Sequence, residues 1–223
     1  VTHYGDFKRL FPVRFRHLGD GASFKRWDWV DFKYRLPTSD RRSESCHVME
    51  DSIVVDGSMS ARDRSAFLDP LVSNSVEDAA AEGKSLALIR PRNTRFYYKV
   101  KADAELEAER KIYKQAASQG SFFDKQLAAL EPSPFEFRFK FEDGSGPHDY
   151  ANGDWEAHAM FFNGRKREKS DQAVLDWMST TFNEQYATRG MLFCVGNMAK
   201  HPKTWQLLGV LRVDDTSQSA LQF

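Results

Sequence analysis

The sequence predicts an α+β fold, with an antiparallel or mixed sheet and clustered helices. Three observations lead there. Phe135, Phe137, Phe139 and Phe141 alternate with Glu136, Arg138 and Lys140, which puts four aromatic rings on one face of a strand and three charges on the other. Residues 103–119 are dominated by alanine, glutamate and lysine, the composition of a helix. The remaining segments do not follow the strict strand-helix alternation of a doubly wound fold.

Taken in order, Phe11, Val13 and Phe15 alternate with Arg14 and Arg16 and read as a half-buried strand within Phe7 to Arg16. Residues 24–36 carry Trp27, Trp29, Phe32 and Tyr34 among charges; their period breaks, so a strand with an internal irregularity is expected. Pro37 and the polar run to Ser45 mark a loop. A short strand follows at 52–55, then helices at 61–71 and 74–82, the second stopped by Gly83. Strands at 85–89 and 94–100 flank a turn at 90–93. The helix at 103–119 offers Leu106, Arg110, Tyr113 and Ala117 as one face, and the region 101–130 reads as a peripheral helical excursion. After the phenylalanine strand, EDGSGPHDYANG at 142–153 is expected to be a long turn or loop. Helices at 154–163 and 171–186, strands at 191–195 and 204–213, and a tail at 214–223 complete a chain read as one domain over 1–213.

Composition narrows the function classes. The 223 residues hold 32 Lys plus Arg against 32 Asp plus Glu, so no uniformly basic surface is expected, although charge can still gather locally. Between Lys8 and Glu44 basic residues outnumber acidic ones by ten to five. Two distant cysteines, Cys46 and Cys194, form no disulfide framework and favour a reducing, cytoplasmic setting. No run is apolar for long enough to cross a membrane as a helix.

Four groups of residues are candidates for chemistry. His148, Asp154, Glu156 and His158 are the catalytic candidates: a helix opening at Asp154 places His158 one turn later on the same face, and His148 can join from the loop. His148, Asp154 and His158 are then the metal-ligand set, and Mg²⁺ or Mn²⁺ is the ion expected if the chain is a phosphodiesterase or nuclease. The alternative role for Asp154 is a helix N-cap. Lys25, Arg26, Trp27, Trp29, Arg41 and Arg42 combine phosphate-binding cations with aromatic rings that can stack on bases, and Arg165, Lys166 and Arg167 form a second basic cluster beside Lys169. Asn197 and His201, after the apolar run MLFCV, are candidates for a pocket at a strand end. The sequence shows no glycine-rich nucleotide loop and no triad spacing, and Cys194 reads as a core thiol.

RRSES at 41–45, LIRP at 88–91, the phenylalanine run at 135–141, DWE at 154–156 and GNMAKHP at 196–202 together resemble segments of an uncharacterised bacterial protein family. The resemblance carries no assigned activity. It implies a bacterial intracellular protein and draws attention to the DWE and GN…HP segments. The expected function is a nucleic-acid-binding or complex-forming accessory module, non-catalytic and without a cofactor, with DNA, RNA or a protein as partner and no membrane association. A metal-dependent phosphodiesterase and a protein-binding adaptor are the alternatives.

Overall fold

The computed structural model describes residues 1–13, 18, 23–38, 40, 42–118, 131–168 and 170–213. Strands β1 (Arg9–Phe11), β2 (Asp28–Asp31), β3 (Tyr34–Arg35), β4 (Ser45–Val48) and β5 (Val54–Ser58) precede helix α1 (Arg64–Leu68). Next come β6 (Val72–Ser73), α2 (Val76–Ala81), β7 (Leu86–Ile89), β8 (Arg92–Val100) and α3 (Asp103–Ser118). The chain continues through β9 (Phe135–Asp143), β10 (Gly146–Ala151), α4 (Trp155–Gly164), α5 (Asp171–Thr180), β11 (Met191–Met198) and β12 (His201–Arg212). The fold is α+β, with sheets that are mixed or antiparallel. Residues 41, 119–130 and 214–223 lie outside the described residues, and with them Arg41, the end of the helical excursion and the expected tail.

The phenylalanine strand organises the larger core. β9 is the centre of an antiparallel sheet ordered β10-β9-β8, and Phe137, Phe139 and Phe141 are buried. Phe139 meets Phe96 of β8 at 5.3 Å and Phe193 of β11 at 5.0 Å, both edge-on, the arrangement that ring quadrupoles favour. Phe161 of α4 and Val174, Leu175 and Met178 of α5 close this core. α5 runs on into a π-helical turn, Thr181–Tyr186. From that turn the Asn183 side chain accepts from the Phe96 amide at 2.6 Å and donates to the Phe96 carbonyl at 3.3 Å. At Phe96 the outer edge of β8 is thus satisfied by an amide side chain where another strand would otherwise pair.

A second sheet, ordered β12-β11-β7-β6, is covered on both faces. Met191, Phe193 and Val195 of β11, with Ala87 and Ile89 of β7, turn towards the phenylalanines. The alternate residues Leu192 and Leu88 join Leu68 and Val213 in a smaller core closed by Phe7, Trp27, Phe67 and Leu71. Burial on both faces is why LALI and MLFCV read as unbroken apolar runs. The N-terminal segment supplies the cover for the second face.

Two expectations change. Residues 142–153 form a hairpin, because Gly146, at φ 127°, turns the chain and β10 then pairs with β9 through Ala151. Within β10, His148 and Tyr150 face inwards while Pro147 and Asp149 are exposed, an alternation concealed in the sequence by polar residue types. The strand expected at 191–195 does not end there either, since β11 extends through Met198 and pairs with β12 from His201 onwards. The expected irregularity between 24 and 36 is present as a register shift at Trp29/Val30 in the β2–β5 pair.

Candidate binding site

The DWE segment starts α4 and locks it to β12. Asp154 is the N-cap: one carboxylate oxygen accepts from the Glu156 amide at 2.9 Å and the other from the Val210 amide at 3.0 Å. Arg26 reaches across to the same place, donating to the Val210 carbonyl at 2.9 Å and pairing with Glu156 at 2.6 Å. Burial raises the Glu156 pKa, and the charge of Arg26 opposes that rise. Asp154, Glu156 and Arg26 therefore form a structural clamp.

His148 lies elsewhere, on β10, with its Nε2 2.9 Å from Asp143. Glu77, Asp143 and His148 are the only such group among the described residues whose ligand atoms all lie within 4.8 Å of one another, so the expected metal set of His148, Asp154 and His158 is not assembled. The Ser145 hydroxyl lies within hydrogen-bond distance of both Asp143, at 2.7 Å, and Glu77, and 3.4 Å from His148. Asp143 also accepts from the Val76 amide at the start of α2. Burial opposes its charge, but the hydrogen bonds from Ser145, His148 and Val76 prevail and hold its pKa below the ordinary carboxylate value. The group is a hydrogen-bonded hub centred on a serine.

His158 stands on α4 against the ring of Phe137, with 5.2 Å between centroids. Burial lowers its pKa and nearby Lys101 lowers it further, while a hydrogen bond to the Asn152 backbone opposes the change. Lys101 is held by both oxygens of Glu109 on α3 at 2.8 Å. Tyr113, one turn further along α3, has its pKa raised by burial and then by Glu109. Leu106, Arg110 and Tyr113 are all half-buried, as expected for the inner face of this helix.

These groups line a chamber of about 450 Å³ that includes Lys101, Glu109, Tyr113, Asn152 and His158. A neighbouring cavity of about 530 Å³ shares Tyr113, Gly153 and His158 and continues along α4 past Trp155 and Phe162 to Lys166. Asn152, only 4% exposed, forms the floor. Its side-chain oxygen accepts from the Asp154 amide at 3.0 Å, but its Nδ2 has no hydrogen-bond partner among the described residues. A buried amide donor left without an acceptor costs about 1–3 kcal/mol, which marks this chamber out from the other cavities.

The other sequence candidates serve largely as contacts between segments. Arg42 holds Asp40 through two nitrogens and donates to the Asn197 carbonyl at 3.0 Å. Arg9 donates to the Ser85 and Asn197 carbonyls, and Glu44 accepts from the Ser85 amide and hydroxyl. The RRSES and GN segments are thus two halves of one clasp. Trp27, at φ 77°, lies under the Arg64 guanidinium at 4.5 Å, and Trp29 stacks on His3 at 3.7 Å. Lys25 is exposed, and His201 is exposed on β12. Arg165 pairs with Asp171 at 2.9 Å, Arg167 covers Trp177 at 4.6 Å, and Lys166 reaches Asn163 at 3.3 Å. Cys46 and Cys194 are free thiols, and burial pushes Cys194 up to about 11. Asn152, Lys101 and Glu109 were missed in the sequence, and Tyr113 was read only as part of a helix face, because no local spacing connects them to a site.

Residues 68–222 match the model of a domain of unknown function, DUF8757. The chain belongs to the DUF8757 family. Residues 1–72 match the model of a second domain of unknown function, DUF8758. No curated protein and no solved structure matches the chain. The DUF8757 segment contains the whole of the α3/α4 chamber, and the DUF8758 segment supplies Arg9, Arg26 and Arg42, the arginines that bind it from outside. Among the described residues, no helix is long and apolar enough to cross a membrane.

Proposed function

We propose that this DUF8757 chain is a non-catalytic accessory module that binds single-stranded nucleic acid along α4. The observation carrying this reading is that Trp155 and Lys166 border one cavity, with His158 between them. Trp155 is 52% exposed, and a base can stack on its ring. Lys166 and the neighbouring Arg165 and Arg167 are exposed at the opposite end of the helix, where they can meet phosphates. The Arg26, Arg42, Trp27 and Trp29 contacts within the fold shift the expected nucleic-acid surface away from the N-terminal segment to this helix. The free thiols support a cytoplasmic setting, and a bacterial source accords with the sequence resemblance.

Fluorescence anisotropy with single-stranded and duplex DNA and RNA at several salt concentrations tests the proposal. Saturable binding of single strands that weakens with salt is expected, with a loss of about tenfold or more in Trp155→Ala, in line with the loss of one stacked base. Absence of binding at low salt, or equal affinity in Trp155→Ala and Lys166→Ala, would overturn it.

A further inference from the structure

We infer that the inner chamber beside His158 takes the uncharged edge of one nucleobase and leaves the phosphate outside. The inference rests on the single-strand reading above and extends it from the surface of α4 to the chamber behind.

Asn152 Nδ2 is a buried donor with no acceptor among the described residues, and it belongs to a side chain fixed at its other end by the Asp154 amide. A ligand oxygen or ring nitrogen placed against it would relieve the cost of that unmet donor. His158 borders the same chamber. Burial lowers its pKa and so favours the neutral ring, which carries one acceptor nitrogen. A donor and an acceptor lining one chamber suit a ligand with an acceptor beside an N–H, the amide-like edge that nucleobases present.

Charge argues for the base over its phosphate. The chamber is lined by Lys99 and Lys101 against Glu105, Glu109 and Glu136, and Lys101 is already held by both Glu109 oxygens. Three carboxylates against two lysines leave this lining net negative, which disfavours a phosphate dianion. The basic residues at 165–167 lie at the far end of the neighbouring cavity, so a base can enter while its backbone stays near α4. A volume of about 450 Å³ is within the range of small-molecule sites.

Isothermal titration of the wild-type chain with adenosine, cytidine, guanosine and uridine, and with their 5′-monophosphates, tests the assignment. At least one nucleoside should bind, and no more weakly than its monophosphate. Asn152→Asp keeps the oxygen that accepts from Asp154 but replaces the donor with an acceptor; it should weaken nucleoside binding by about tenfold or more. His158→Phe keeps the packing against Phe137 and removes the ring acceptor, and should weaken binding likewise, so the test survives if one variant fails to fold. Nucleoside affinity within about twofold of wild type in folded forms of both variants, or monophosphates bound about tenfold more tightly than nucleosides, would overturn the inference. Trp155-dependent binding of oligonucleotides without any nucleoside binding would overturn it while leaving the single-strand reading standing. Nucleoside binding without oligonucleotide binding would support the chamber and overturn the single-strand reading.

Discussion

Arg42 donates from Nη1 to the Asn197 carbonyl at 3.0 Å, joining the loop before β4 to β11 across 155 positions of sequence. The same guanidinium clamps Asp40, whose carboxylate also accepts from the Ser45 hydroxyl at 2.6 Å. Charge, burial and hydrogen bonding are thus concentrated where the N-terminal segment meets the central sheet.

Hydrogen bonds from Arg42 hold the Asp40 pKa below the ordinary carboxylate value. The unfolded chain therefore binds the extra proton first, and the stabilisation by Asp40 is complete above about pH 5 and lost as pH falls through the carboxylate range and below. Urea unfolding from pH 6 down to pH 2 should show this acid sensitivity reduced in Asp40→Asn. At neutral pH, Arg42→Ala should cost about 2–3 kcal/mol, because the hydrogen bonds lost involve charged groups.

Gly196 has no room for a side chain. A Cβ there would lie 2.6 Å from Leu208 Cδ1, 2.8 Å from Arg9 Nη2 and 2.9 Å from Leu86 Cδ2. Gly196→Ala should destabilise the fold by about 1–3 kcal/mol, the usual range for overpacking. Displacement of Arg9 should appear as faster amide exchange in β1 and β4 than in β9, and equal protection in the two regions would contradict the proposed coupling.

Asp154 satisfies two backbone amides from separate elements. Asp154→Ala should cost about 2–4 kcal/mol in chemical denaturation, and Asp154→Asn, which retains one oxygen acceptor, about half as much. If instead both variants were as stable as wild type, the clamp between α4 and β12 would have no energetic role.

His158 has a pKa lowered chiefly by burial. Below the ordinary histidine value of about 6.5 the unfolded chain takes up a proton that the folded chain resists, so stability falls as pH drops from 7 towards 5. Thermal melts across this interval should show a smaller fall in His158→Phe. An unchanged pH dependence would mean that His158 is solvated in the folded protein.

Much of the fold could be read locally. The phenylalanine alternation gave β9 its inward face, and Gly83 marked the end of α2, while its Ser75 cap emerged only in the fold. The N-cap role of Asp154 was one of two readings available from sequence, and the geometry selects it over metal ligation. What could not be read is long-range pairing. Arg26 and Val210 are 184 positions apart, and nothing near Arg26 distinguishes a phosphate ligand from an arginine that anchors a β-strand. The chamber was concealed for the same reason: Lys101, Glu109, Asn152 and His158 come from three regions, and the missing partner of Asn152 is a property of the folded interior alone. β10 was obscured differently, because His148 and Tyr150 occupy inward positions that a hydrophobic pattern assigns to aliphatic residues.

The two-faced burial of the β12-β11-β7-β6 sheet limits how this chain can be divided. Leu88, Leu192 and Val213 are covered by Phe7, Trp27 and Phe67, all from the part of the chain before residue 68. A DUF8757 segment separated from its N-terminal companion would present an apolar sheet face to water, and Ser85 and Asn197 would lose the arginines bound to their carbonyls. The two segments therefore constrain each other's sequence: recombining either with an unrelated neighbour would require a substitute surface of matching shape, apolar at its centre and cationic at its rim.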